Sequence, residues 1–147
     1  MAEISDAAVA TGTSLFVSKT LIVAAALFGA AGVGLGAFGA HALKSRLEQA
    51  GTESTWETAV QYHLLHAIVL LVLGIWARLS PSLAATINVS GALFIAGILL
   101  FSGSLYGLAL GGPRWLGPVT PLGGLGFILA WLWLLKPAMT TVTAGTS

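Results

Sequence analysis

The sequence predicts an all-α membrane protein: an antiparallel bundle of four transmembrane helices with a short interfacial amphipathic helix between spans one and two. Three observations carry this. Hydrophobic residues make up 56% of the 147-residue chain, charged residues only 7%, and the mean hydropathy is +0.94; a soluble domain carries roughly 25% charged residues to keep its surface wet. Four uncharged stretches approach or exceed the ~20 residues that cross a ~30 Å hydrocarbon layer at ~1.5 Å per residue. Every formal charge falls in a tail or between those stretches. A chain of this length is one domain whose spans share one packed bundle. A net charge of +1 without a basic cluster argues against nucleic acid as a partner. The absence of cysteine removes disulfides, thiolate metal sites and cysteine nucleophiles.

Residues 1–18 mix Ala, Ser, Thr and Gly with Glu3 and Asp6, and read as a poorly ordered tail, with Leu15-Phe16-Val17 a candidate for contact with the membrane surface. Lys19 opens the transmembrane domain, residues 19–136. Leu21 to Ala40 contains no polar side chain. The run is longer than the ~7–15 residues of a signal-peptide core, so it is kept as the first span, about 21–40. Gly32 and Gly36 stand four apart on it, continuing to Ala40. Small residues at that spacing let helix backbones approach closely, within the chain or between copies. His41 to Ala50 sets Leu43 and Leu47 against Lys44, Arg46 and Glu48, which is the pattern of an interfacial helix stopped by Gly51.

The second span, about 58–77, follows Ser54 and Glu57, which have capping-box spacing, and Trp56, placed as an anchor at the headgroups. Its second half, Ile68 to Leu73, is continuously aliphatic, whereas its first half holds Gln61, Tyr62, His63 and His66. The third span, about 83–110, begins after Pro81 and places Gly103, Gly107 and Gly111 four apart, with Ser102 and Tyr106 sharing a face. Asn88-Val89-Ser90 matches a glycosylation triplet, but at the membrane edge it is discounted. The fourth span, about 120–135, starts with Thr120 as N-cap and Pro121 at the first helical position. It is short, so Trp115 to Pro118 is expected to dip into the headgroup layer. Trp131, Trp133 and Lys136 anchor its far end, and residues 137–147 form a polar tail. Lys19, Arg78 and Lys136 on one side balance Lys44, Arg46 and Arg114 on the other, so the positive-inside rule does not orient the bundle.

Four stretches, Gly36-Ala37-Phe38-Gly39-Ala40-His41-Ala42-Leu43, Thr58 to Ala67, Phe101-Ser102-Gly103-Ser104-Leu105-Tyr106 and Thr120-Pro121-Leu122-Gly123-Gly124, carry a family resemblance. The chain resembles a family of small four-span membrane proteins of unknown function that includes the bacterial YgdD-type proteins and the vertebrate transmembrane protein 256. The resemblance covers about Leu21 to Leu135. It implies four helices and an inner or plasma membrane location, here a bacterial inner membrane. It implies no activity, so no catalytic role transfers.

Alternating spans bring His41, Gln61, Tyr62, His63, His66, Ser102, Ser104, Tyr106 and Thr120 into the same half of the bundle. Measured from Thr58, His63 and His66 lie ~7 and ~12 Å along the second span. Three apart, they point the same way. Histidines in a bilayer need partners. Three readings stay open: polar groups that fix helix packing; a one-sided polar cavity that binds a small polar species or a partner membrane protein; and a metal- or haem-binding redox accessory protein using His41, His63 and His66. The cavity leads. The metal reading lacks nearby carboxylates to orient the imidazoles, because Glu53 and Glu57 are interfacial, so no cofactor is assigned. No intramembrane carboxylate supports acid–base or triad chemistry, and no enzymatic role is expected. The partners expected are the lipid bilayer and a second copy or another membrane protein.

Overall fold

In hydrocarbon a backbone must satisfy its own N–H and C=O groups, and a run without strand pairing does so as a helix. The computed structural model describes residues 2–136 and Met139. Among them the elements are α1 (Ala2–Ala40), α2 (Lys44–Ala50), α3 (Glu53–Leu79), a 3-10 turn (Pro81–Leu83), α4 (Ala84–Gly97), a π-helical turn (Ile98–Ser102), α5 (Gly103–Ala109) and α6 (Leu116–Trp133). Among the described residues four segments are long and apolar enough to span a membrane: Thr11–Ala40, Glu53–Leu79, Pro81–Ala109 and Leu116–Trp133. The protein is an antiparallel four-helix membrane bundle. The third span is α4, the π turn and α5 in series. α3 packs against α1 on one side and against the third span on another, while α6 packs on the third span.

The first helix begins well before the expected boundary at Lys19. α1 runs from Ala2, and Ser14, Val17 and Ser18 are buried. Serine and threonine do not stop it because their hydroxyls fold back: Thr13 Oγ1 donates to Val9 O at 3.0 Å and Thr20 Oγ1 to Phe16 O at 2.9 Å. The Ser14 hydroxyl instead crosses to the Ala77 carbonyl at the end of α3. The expected C-terminal polar tail, Met139 apart, lies outside the described residues.

α1 and α3 meet along a seam of small residues whose pairings run in opposite order. A Cβ added to Gly32 would stand 2.6 Å from Leu64 Cδ2, one on Gly36 would stand 3.3 Å from Val60 Cγ1, and one on Gly39 would collide with Trp56. At the other end Gly74 of α3 faces Ile22 and the Ser18 carbonyl. Such contact lets dispersion act over a wide area, which substitutes for the hydrophobic drive that lipid removes. A Gly32→Leu exchange should cost about 1–3 kcal/mol of overpacking. Gly34→Leu, with nothing within 4 Å of its Cβ, should leave the detergent-unfolding midpoint unchanged or raise it slightly through helix propensity.

The glycines of the third span behave differently from the sequence expectation. Gly107 packs on Leu116, but an added Cβ at Gly103 meets nothing within 4 Å, and Gly111 has φ +83° and ends the helix. Gly103 lies on the exposed side of α5, and α5 ends at Ala109, so Gly111 stands beyond the helix and the four-residue spacing does not continue as one packed face. Gly111 supplies the left-handed conformation that lets Gly112 N–H reach Gly107 O at 2.8 Å.

Helix starts also shift. α3 begins at Glu53, and its N-cap residue, Thr52, makes no side-chain cap; its hydroxyl donates to Ala109 O at 2.9 Å instead. The Ser54–Glu57 pair therefore lies inside the helix and does not form a capping box. α6 begins at Leu116, which places Thr120 and Pro121 within it. Turn bonds from Leu116 N–H to Pro113 O and from Gly117 N–H to Arg114 O begin the winding four residues early. His41 to Leu43 is a turn, and the short amphipathic helix is Lys44–Ala50, with Leu47 buried. Arg46 Nη2 donates to Leu110 O at 2.9 Å, so α2 and Thr52 together satisfy carbonyls freed at the end of α5.

Candidate functional site

The buried aliphatic core, with Leu21, Leu70, Leu73, Ile87 and Ile98, occupies the half of the bundle where α1 begins and α3 ends. A second cluster, Leu47, Trp56 and Ala109 with Tyr106 against it, closes the other end. His63, His66, Ser102, Ser104 and Thr120, singled out in the sequence, lie between these, and they divide into separate contacts.

His63 and His66 are both buried, but they face different neighbours. His63 lies toward α1 and α5: its ring meets Phe28 edge-on at 5.5 Å, and the Tyr106 hydroxyl stands 3.3 Å from Nδ1. Its Nε2 is sealed from solvent without a hydrogen bond of ordinary geometry, with the Phe28 backbone beside the ring. Trp56, expected as an outward anchor, is buried; its Nε1 donates to Leu35 O at 3.1 Å and its ring lies 4.7 Å from that of Tyr106. This Phe28–His63–Tyr106–Trp56 chain is a packed polar seam. Tyr106→Phe should cost about 0.6 kcal/mol, the average for an interhelical hydrogen bond in a membrane, read as a small fall in the unfolding midpoint with the fold retained.

Ser104 and Thr120 form the second contact. Their hydroxyls are 2.7 Å apart, and Ser104 also reaches Phe101 O at 2.9 Å. The pair bolts α5 to α6 at the position where Pro121 has no N–H to give Gly117 O. Ser102 is fully buried with its hydroxyl unpartnered. His41 is exposed in the turn after α1 and joins none of these groups. Among the described residues no cluster of three or more His, Asp or Glu could hold a metal ion. The set His41, His63 and His66 is therefore not assembled.

His66 is the third and most elaborate contact. Its ring stacks on Phe127 with centroids 3.7 Å apart and planes 6° apart, with Phe94 at 5.4 Å and Trp131 at 6.5 Å. Its Nδ1 lies 2.7 Å from Tyr62 O. A carbonyl only accepts, so Nδ1 carries the proton of the neutral ring and Nε2 presents a lone pair. Among the described residues no protein group forms a hydrogen bond with Nε2. His66 lines a groove of about 420 Å³ between α3, the π turn and α6, together with Gln61, Tyr62, Phe101, Phe127 and Trp131. Tyr62, Leu65, Ile128 and Trp131 on its rim are exposed on the outer face of the bundle. His66 is also the middle residue of α3, ~20 Å from either end of that helix and deeper than the sequence estimate, because α3 starts at Glu53.

The sequence reading missed the aromatic wall. Phe127 and Trp131, four apart on α6, and Phe94 and Phe101 on the third span sit in uniformly apolar runs; the i,i+4 aromatic spacing was the available signal. It also missed Ser14 and Ser18, whose buried hydroxyls lie in the half of the bundle where α1 begins.

Residues 35–124, which include all four motifs quoted above, match the family described as protein of unknown function DUF423. The chain is 43% identical over 117 residues to the UPF0382 membrane protein SH2409 of Staphylococcus haemolyticus, covering 80% of this chain and 93% of the relative. It is 40% identical over 121 residues to the UPF0382 membrane protein YwdK of Bacillus subtilis, covering 82% and 97%. A third relative, SERP0230 of Staphylococcus epidermidis, is 44% identical over 117 residues, covering 80% and 93%. No solved structure matches. The family resemblance carried by the four motifs is thus borne out: this multi-pass membrane protein belongs to the DUF423 family of small membrane proteins of unknown function.

Proposed function

We propose that this is a non-enzymatic membrane protein that holds a small amphipathic molecule from the bilayer in the groove between α3 and α6, with His66 as its polar anchor. One observation carries the reading: a buried imidazole at the middle of a spanning helix lines a groove on the outer face, with only its Nδ1 in a hydrogen bond among the described residues. An ionisable side chain within a span is costly and is retained where it has a partner or a task. The groove volume falls in the ~300–1,000 Å³ range of small-molecule sites, and its lining is mostly apolar with few polar atoms, as such sites are.

The single polar cavity expected from the sequence has less support. His63–Tyr106 and Ser104–Thr120 are consumed in interhelical contacts, and His66 turns the other way, toward Phe127. The metal or haem alternative lacks its third histidine. The test is co-purification. Solvent extracts of the wild-type protein and of Gly124→Leu, which narrows the groove beside Phe101, are compared by mass spectrometry at equal helix content. A lipid-soluble compound retained by the wild type and lost from the variant is the expected result. Identical extracts from both would contradict the reading.

A further inference from the structure

The geometry points to the chemical class of the occupant: a membrane-soluble quinol, a planar ring carrying hydroxyl donors, bound in its reduced form. This rests on the groove reading above and adds three constraints to it.

The first is depth. His66 lies at the midpoint of α3, ~20 Å from each helix end. A phospholipid keeps its charged headgroup at the interface, because taking it into hydrocarbon carries a large desolvation cost. A polar group opening sideways at the midplane therefore meets only molecules whose polar part itself enters the hydrocarbon layer. Neutral ring compounds with an apolar tail do so.

The second constraint is the direction of the hydrogen bond. Nδ1–H is committed to Tyr62 O at 2.7 Å, which leaves Nε2 as an acceptor only. A quinol hydroxyl donates to it. The oxidised quinone presents only carbonyl oxygens, which face the Nε2 lone pair with nothing to donate. In a medium of low dielectric that mismatch leaves two acceptors unpaired, whereas the quinol satisfies one of them. The Gln61 amide, on the same groove, offers both donor and acceptor to the remainder of the ring.

The third constraint is shape. The walls are rings: Tyr62 lies 4.6 Å from Phe101 and 6.2 Å from Phe127, and Trp131 closes the far side. Aromatic faces and edges favour another flat ring over a branched or puckered one. Leu65 and Ile128 on the rim offer an aliphatic path outward for a tail. Diacylglycerol shares the hydroxyl donor but has no planar group for these walls.

The experiment is a radioligand assay on the full chain in nanodiscs, using a tritiated decyl-tailed benzoquinol kept reduced. Saturable binding is expected, displaced by the unlabelled quinol but not by its bis-O-methyl ether, and weaker by about tenfold or more for the decyl-benzoquinone, the loss expected of one buried hydrogen bond. His66→Phe keeps the stack and the volume while removing the acceptor, and should weaken quinol binding by a similar factor with helix content unchanged. The ether and quinone arms use wild-type protein, so they decide the matter even if that variant fails to fold. Equal binding of quinol and ether, preference for the quinone, or no saturable quinol binding would each overturn the proposal. Dioleoylglycerol is run in parallel. If it binds in a His66-dependent way while the quinol does not, the quinol assignment falls and the groove reading stands. If neither binds and the co-purification extracts are identical, both fall.

Discussion

Gly123→Ala is expected to destabilise the bundle by about 3 kcal/mol, the upper end of the usual overpacking cost, although it adds a single methyl. A Cβ at Gly123 would collide with the backbone N of Phe101 and lie 2.7 Å from its Cα. Backbone cannot rotate away as a side-chain tip can, so α6 must lift off the π turn. The lift would also separate Ser104 from Thr120 and open the groove at its floor. Gly103→Ala, in the neighbouring third span, is the matched control, since its Cβ meets nothing within 4 Å. There the exchange should be neutral or stabilising by up to ~1 kcal/mol through helix propensity. Denaturant titration in detergent, followed by circular dichroism, checks both. Equal midpoints for the two variants would contradict the close approach of α6 to the π turn.

The second large effect is expected at Phe127. This ring is buried, stacks on His66, and fills the space left by Gly97, where an added Cβ would collide with it. Phe127→Ala should cost about 3–5 kcal/mol, as truncations of buried aromatics do, and should free the His66 ring from its stack. Phe127→Leu keeps much of the volume without the flat face and should cost less. The unfolding midpoint measures the first effect. The second is read by NMR, because His66 ring protons now over the face of Phe127 lose their ring-current shift in either variant. Unchanged His66 resonances in Phe127→Ala would contradict the stack.

Much of the fold was legible because in lipid one rule dominates. Uncharged runs must be helical, and their lengths and charged boundaries set the spans and their antiparallel order. What was not legible depended on terms that pattern alone does not weigh. Thr13 looked like tail chemistry, yet its hydroxyl bonds back along α1 and lets it continue. Thr120 and Pro121 looked like a helix start, but the turn bonds at Pro113 and Arg114 begin α6 earlier. The π turn has no composition signature in Ile98–Ser102, and the end of α5 at Ala109 cut the four-residue glycine spacing short of Gly111. For the site, the spacing of His63 and His66 put both on the inner side of α3, where both are buried. It could not say that three residues of separation, ~60° away from alignment on a 3.6-residue turn, suffice to give them different neighbours.

The central claim is that the groove beside His66 opens to hydrocarbon and not to water. A nitroxide attached at Gly124→Cys, on the groove wall, tests it most directly in nanodiscs, with Glu48→Cys as the water-exposed reference and Leu125→Cys as the outward-facing one. Collisions with molecular oxygen, which partitions into hydrocarbon, are compared with collisions with a neutral water-soluble nickel chelate. The expected result is relaxation by oxygen approaching that at residue 125, with almost none by the nickel chelate. Relaxation by the nickel chelate comparable to that at residue 48 would show a water-filled cavity and contradict the account.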